Sequence, residues 1–314
     1  MIKNILITGG AGFIGFHLNK VLKDQFEIQN LDALFERNVS SSIRSNLLTD
    51  VIIKDINDNF IDQLKNKPQI VIHLAAETGI AGSLKHPDKY LSANVQGTFN
   101  VLEQCRKNGV KYLIYASSSS VYCQDNTKCM TESDSTDFQL SFYGTTKKMG
   151  ELMVENYCKQ FGITAIGLRF FTVYGSWTRP DMAAYKFMHL IKNNQPVVLY
   201  NNGDIYRDFT HVSDVVYSIK LLIDKIQNED IGTHQIFNIG YGQPITVKQY
   251  VNSIAASMCL PVNYNFKKLP NNESAYTHCN NDKLKTYINF TPTCNHLYGI
   301  NEMVSWFKLY EYDL

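Results

Sequence analysis

Residues Thr8-Gly9-Gly10-Ala11-Gly12-Phe13-Ile14-Gly15 directly follow the apolar run Ile5-Leu6-Ile7 and lead into a helical-looking segment. A strand, a glycine turn and a helix in that order leave few folds open. One glycine permits the tight turn, one lets backbone amides approach a pyrophosphate, and one lets helix pack on strand. The helix N-terminus, beginning at Phe13 and Ile14, then offers unpaired N–H groups and partial positive charge to that anion. Two residues separate each pair of Gly9, Gly12 and Gly15, unlike G-x-G-x-x-G, and the trio alone would suit an ordinary glycine-rich turn. Asp32 shifts the balance: it ends the next apolar segment, about twenty residues past the turn, where a carboxylate can accept from an adenosine ribose hydroxyl. An acid there favours NAD, because a 2′-phosphate is repelled, although Arg37 lies close enough to leave some NADP use open. The plain alternative for Asp32 is a turn residue.

From residue 1 to about 170 short apolar runs alternate with longer amphipathic ones, the pattern of a doubly wound parallel sheet flanked by helices. This predicts an α/β, Rossmann-like fold with strands at 3–8, 26–31, 51–53, 70–74, 111–116 and 164–168. Helices are expected at 13–24, 58–65, 87–108 and 143–161. Past Arg169 the alternation weakens, and turn signals such as Asn201-Asn202-Gly203-Asp204 break the chain into shorter pieces. The expected division is a dinucleotide domain over 1–170 and a smaller mixed α/β substrate lobe over 171–314. With no Pro-, Gly- or Ser-rich linker between them, the two should share a cleft. A net charge of +1 gives no sign of nucleic acid or membrane as a partner. The seven cysteines form no C-x-x-C pair and suit free thiols in a reducing, cytoplasmic setting, and no zinc or other metal site is expected.

The chemistry is expected near the middle of the chain. Tyr143 and Lys147, four apart, share a helix face. Ser117-Ser118-Ser119-Ser120 ends the apolar run 112–116, at the carboxyl edge of a strand, where open α/β sheets bind their ligands. A lysine ammonium stabilises a nearby phenolate, so the Tyr143 pKa should fall from about 10 toward neutrality and make it a base. Ser118 can hold the same substrate oxygen. Tyr and Lys at this spacing are commonplace on surface helices; their order after a glycine turn, an acidic strand end and a serine strand end is not.

Taken together with His73-Leu74-Ala75-Ala76, Asn94-Val95-Gln96-Gly97-Thr98, Arg207-Asp208-Phe209 and Asn238-Ile239-Gly240, these motifs resemble the extended short-chain dehydrogenase/reductase family, specifically its nucleotide-sugar epimerases and dehydratases. The resemblance spans nearly the whole chain. It implies bound NAD, contacted by Gly9, Gly12, Phe13, Ile14, Gly15, Asp32, Leu74, Ala75, Ala76, Asn94, Tyr143 and Lys147, with Asp55 and Ile56 flanking the adenine. It further implies a UDP- or similarly activated sugar in the second lobe, met by Ser118, Ser119, Thr172, Arg179 and Arg207. A homodimer through the 87–108 and 143–161 helices is implied as well.

Residue types narrow the subclass. Dehydratases of this kind carry an Asp-Glu pair after the serine, because they need an acid and a base; Ser119 and Ser120 stand there instead. Related decarboxylases carry Glu at the position of Ser120. The stretch from Leu168 to Ala183 looks like that of UDP-glucuronate 4-epimerases, with the Thr172 hydroxyl and the planar Arg179 guanidinium suited to a C6 carboxylate. The plainer reading leaves Arg179 solvated or paired to Asp181 in a loop held by Pro180. The chain departs from the pattern in three places: Cys123 for a glycine, Ala81 for an arginine, and the segment Pro270-Asn271-Asn272-Glu273 for a Pro-Gly-Asp-like turn. Epimerisation of a neutral or N-acetylated hexose, dehydration by other residues, and a non-catalytic NAD-responsive protein stay as alternatives.

Overall fold

The computed structural model describes residues 2–34, 39–122, 129–270 and 273–310; Arg37, Cys123, Asn271 and Asn272 lie outside them. The first half of the chain supplies strands β1 (Asn4–Thr8), β2 (Glu27–Asp32), β3 (Val51–Ile53), β4 (Ile70–His73), β5 (Tyr112–Ser118) and β6 (Thr164–Phe170). Its helices are α1 (Phe13–Leu22), α2 (Val39–Ser45), α3 (Ile80–Lys85), α4 (Pro87–Tyr90), α5 (Gly97–Lys107) and α6 (Phe142–Phe161). The second half adds β7 (Thr172–Tyr174), β8 (Val197–Tyr200), β9 (Tyr206–Arg207), β10 (Phe209–His211), β11 (His234–Ile239), β12 (Ile245–Thr246) and β13 (Tyr264–Lys267). Its helices are α7 (Ala183–Lys192), α8 (Val212–Asn228), α9 (Val247–Met258), α10 (Asp282–Ile288) and α11 (His296–Leu309).

Among the described residues seven strands form one parallel sheet in the order β11-β6-β5-β4-β1-β2-β3. Ile5, Leu6 and Ile7 of β1 are fully buried, as a central parallel strand covered on both faces must be. One face carries a core of Ile5, Ile7, Leu18, Ile72 and the apolar stripe Val215, Ile219, Leu222 and Ile226 of α8. The other packs Leu6, Val71 and Leu113 against Leu102 of α5 and Val154 of α6. Both β11 and α8 come from beyond residue 170, so a cut there would leave the sheet short of a strand and uncover one face. A further core, including Tyr185, Met188, Tyr250, Ile254, Met303 and Phe307, joins α7, α9 and α11 and reaches Phe16 of α1.

Helix α6 starts where the Ser141 hydroxyl accepts from the Gly144 N–H at 3.1 Å and ends at Gly162, whose φ of +69° suits a left-handed cap. The expected helix at 58–65 does not form; only a short 3₁₀ turn, Ile61–Gln63, is present. There the Gln29 side chain takes the Lys65 N–H at 2.6 Å and donates to the Asn66 carbonyl at 2.7 Å, drawing that backbone out of helical pairing. The expected 87–108 helix is present but interrupted: a π-helical turn, Leu91–Gln96, separates α4 from α5 and carries the buried Asn94. Helices α2 and α3 were not expected; each is too short to show a clear period.

Candidate active site

The sheet order reverses between β1 and β4, and the loops leaving these two strands meet at their carboxyl ends. Gly9 adopts φ +70°, and a Cβ there would stand 2.7 Å from the Ala75 nitrogen. A Cβ on Gly15 would collide with the Gly9 carbonyl. The glycines thus let the turn press on both the β4 loop and α1. At the α1 N-terminus Gly12 brings no side-chain cap, which leaves the first N–H groups to an anion. Asp32 ends β2 beside this turn and accepts the Ala11 N–H at 3.0 Å and the Leu34 N–H at 3.1 Å. Burial raises its pKa, held back by those N–H groups and by the Arg44 charge. Thr8 receives the Leu74 N–H at its carbonyl and the Ala75 N–H at its hydroxyl, fixing the loop that continues to Ala76. This cradle and the carboxylate beside it fit a dinucleotide.

Asn94 is placed by the π-helical turn to grip Glu77 twice, accepting its N–H at 2.8 Å and donating to its carbonyl at 2.9 Å, and it donates to the Thr146 hydroxyl at 3.0 Å. Ile56 is buried against Gly97, while the Asp55 carboxylate accepts the Asn57 N–H at 2.8 Å. His73 bonds Thr8 Oγ1 at 2.7 Å and Thr98 Oγ1 at 3.1 Å; burial, assisted by the nearby Lys147 charge, lowers its pKa to about 3. The imidazole is therefore neutral at pH 7. Below pH 6.5 the unfolded chain takes up a proton that the folded one refuses, so stability present above that pH is lost as pH falls toward 3. Each unit in this window costs about 1.4 kcal/mol from this residue. The melting temperature should fall between pH 7 and pH 5, with a shallower slope in His73→Gln; equal slopes would exclude this origin.

Ser118 ends β5 and its hydroxyl accepts the Ser120 N–H at 3.1 Å, while Ser119 opens the next 3₁₀ turn. Tyr143 stands in the first turn of α6, where the Ser118 side chain acts to lower the pKa of its phenol. One turn further on, the Lys147 ammonium donates to the Ala116 carbonyl at 3.1 Å, and burial lowers its pKa to about 8. The expected fall of the Tyr143 pKa is not found in the protein alone. Burial pushes the phenol up, opposed by the Ser118 side chain and the Arg179 charge, while Lys147 is engaged by Ala116. The Tyr90 ring packs edge-on against Tyr143 at 6.1 Å, and its hydroxyl bonds the Thr78 and Gly79 carbonyls.

Arg179 takes the plainer arrangement of the two expected: Nε donates to Asp181 Oδ1 at 2.8 Å and a terminal nitrogen to Oδ2 at 2.5 Å. Its charge nonetheless reaches Tyr143 and Tyr90. Thr172, half-buried, starts β7, and its N–H meets the Asp208 carbonyl at 3.1 Å. Arg207 pairs with Glu273 at 3.6 Å; burial lowers the arginine pKa and Glu273 works against that. The buried Asp208 carboxylate accepts N–H groups from Tyr241, Gly242 and Cys279 within 3.2 Å, tying together three segments of the chain beyond residue 170.

Two buried charges escaped the sequence reading. Arg169 on β6 binds Glu151 of α6 through two bonds, at 2.8 and 2.9 Å, and the Ser117 hydroxyl donates to the same carboxylate at 2.7 Å. An arginine inside the apolar strand 165–170 was the available signal, since a buried charge needs a partner. Arg44 of α2 reaches the glycine turn, but its stretch of serines and polar residues carries no motif.

The fold and the cradle at its switch point define a dinucleotide-dependent enzyme of the Rossmann-like class. The chain belongs to the NAD dependent epimerase/dehydratase family, whose profile matches residues 5–240, and it is an NAD-dependent epimerase. It is 35% identical to Protein CapI of Staphylococcus aureus, with 98% of each chain covered. With a probable UDP-glucuronate 4-epimerase of Rhizobium meliloti it shares 32% identity over 96% of each. The crystal structure of UDP-glucuronic acid 4-epimerase from Bacillus cereus with UDP-glucuronic acid and NAD superposes with a TM-score of 0.90 at 27% identity, covering 98% of this chain and all of that one.

Proposed function

We propose that the chain interconverts UDP-glucuronate and UDP-galacturonate by transient oxidation at C4, rotation of the 4-keto sugar and return of the hydride. The observation that carries the reading is the placement of Tyr143 and Lys147 one turn apart on α6, with the Lys147 ammonium on the Ala116 carbonyl of β5 and Ser118 at the end of that strand, and with the Arg179 charge acting on Tyr143. Bound NAD supplies the hydride acceptor and, when oxidised, a positive charge. Tyr143 takes the C4 hydroxyl proton, Ser118 holds the same oxygen, and Lys147, protonated at pH 7, supports both. Gly9 to Gly15, Asp32, Asp55, Ile56, the Leu74–Ala76 loop and Asn94 hold the cofactor. Arg207 grips the diphosphate, so the sugar can turn about that anchor and present its other face. Thr172 and Arg179 bind the C6 carboxylate and, by keeping it ionised and out of line with the 4-keto group, suppress decarboxylation. Neither Ser119 nor Ser120 supplies the acid and base that dehydration needs. Incubation with a panel of UDP-sugars, read by NMR, tests this; turnover of neutral hexoses alone would remove the glucuronate assignment.

The working unit we propose is a homodimer. Phe99 of α5 and Met149 and Leu152 of α6 are exposed, 42%, 39% and 53% respectively, and Leu91, at the start of the π-helical turn that leads into α5, is exposed as well. Burying such residues in a second copy removes apolar surface from water. Sedimentation velocity at micromolar concentration should give a dimer, and Leu152→Glu a monomer; a monomeric parent would overturn it. Free thiols at Cys105, Cys158 and Cys279 support a cytoplasmic setting. No described helix is long and apolar enough to cross a membrane.

A further inference from the structure

Arg44 is fully buried, and its planar guanidinium lies between two loops that serve opposite ends of the reaction. Nε donates to the Ala11 carbonyl at 2.6 Å, inside the glycine turn. One terminal nitrogen donates to the Trp177 carbonyl at 2.9 Å, and the other to Ser41 Oγ at 3.1 Å. Ala11 is thereby held on both sides, because its own N–H goes to Asp32. Trp177 is a bulky residue at φ +59°, a conformation that persists only where its surroundings impose it. The imposing contacts are the Arg44 bond and an aromatic box of Phe16, Trp306 and Tyr310, with ring centroids at 5.1, 5.8 and 5.1 Å. Next to it the Ser176 carbonyl is bonded by the His17 ring at 2.8 Å. Two residues beyond Trp177 stands Arg179.

We propose that Arg44 is a positioning residue that sets the cofactor turn and the sugar-side loop with one side chain. A guanidinium can donate in two directions from one rigid plane, which a lysine ammonium on a flexible stem cannot reproduce. The inference rests on the assignment of the Gly175–Arg179 loop to the sugar. Arg44→Lys should raise both the NAD concentration for half-maximal activity and the KM of the UDP-sugar by roughly tenfold or more, the scale of a lost hydrogen bond to a charged group. At saturation of both, kcat should stay within about threefold, whereas a merely structural defect lowers the active fraction and leaves both constants unchanged. Either constant remaining within about twofold of the parent overturns the proposal. Ser41→Ala provides the second reading, and decides the matter if Arg44→Lys does not fold, because it keeps the arginine and removes one side-chain anchor of its guanidinium plane. It should raise the NAD requirement and the sugar KM together, each about threefold or more, and either constant remaining at the parent's value overturns the proposal. Arg179→Ala run in parallel separates the two ideas: if it leaves the sugar KM unchanged, the carboxylate assignment fails, while Arg44 is still judged by its own two constants. The sugar used is whichever UDP-sugar the parent epimerises.

Discussion

Tyr143→Phe should lower kcat by about two to four orders of magnitude, the usual contribution of a positioned proton-transfer group. The substitution keeps the ring that packs against Tyr90 and deletes only the hydroxyl. Its structural cost is therefore at most about one hydrogen bond, on the order of 1 kcal/mol, too small to unfold a domain of ordinary stability. NAD content and melting temperature serve as controls and should stay near those of the parent. Because burial pushes the phenol up, the parent's activity should rise with pH along its acid limb as the tyrosine loses its proton. A variant with kcat within a few-fold of the parent would remove Tyr143 from the chemistry.

Arg179→Ala should reduce kcat/KM for UDP-glucuronate by roughly ten- to a hundred-fold, the range of one to two charge-assisted bonds to a carboxylate. Neutral UDP-hexoses should change far less. The partner left behind, Asp181, has a 59% exposed side chain, so water can solvate it and the fold loses little. A second effect has a definite sign: Arg179 lowers the Tyr143 pKa, so its removal should move the acid limb of the kcat profile to higher pH. Loss of the clamp should also release UDP-pentose, because a β-keto acid whose carboxylate is free to rotate can align its C–C bond with the keto group. Unchanged selectivity between glucuronate and neutral sugars would sink the clamp while leaving the epimerase intact.

The bidentate Arg179–Asp181 pair and the Arg207–Glu273 pair bear on the same question. Each arginine assigned to the substrate already faces a carboxylate of this chain, so an incoming carboxylate or diphosphate must share or displace it. Both the glutamate and its neighbours depart from the expected Pro-Gly-Asp-like turn, and position 81, where an arginine is usual, is alanine.

The glycine turn, the acidic end of β2, the serine end of β5 and the Tyr143–Lys147 spacing were legible because each obeys a local rule. Steric freedom at Gly9, a helix N-terminus at Phe13 and a four-residue step along α6 are properties of a few adjacent residues, and the sequence by itself determined them together with the parallel sheet. What only the tertiary structure decided involves residues far apart in the chain. β11 joins the sheet from beyond residue 230, Gln29 unwinds the segment expected as a helix at 58–65, and Glu151 neutralises Arg169 across two elements. Arg44 meets Ala11 and Trp177 only once helix α2 and two loops have packed. The Tyr143 pKa belongs to this second kind. A lysine four residues away predicts a fall, but burial and the turning of Lys147 toward Ala116 set the direction, because desolvation depends on everything that surrounds a group and not on its neighbours in sequence.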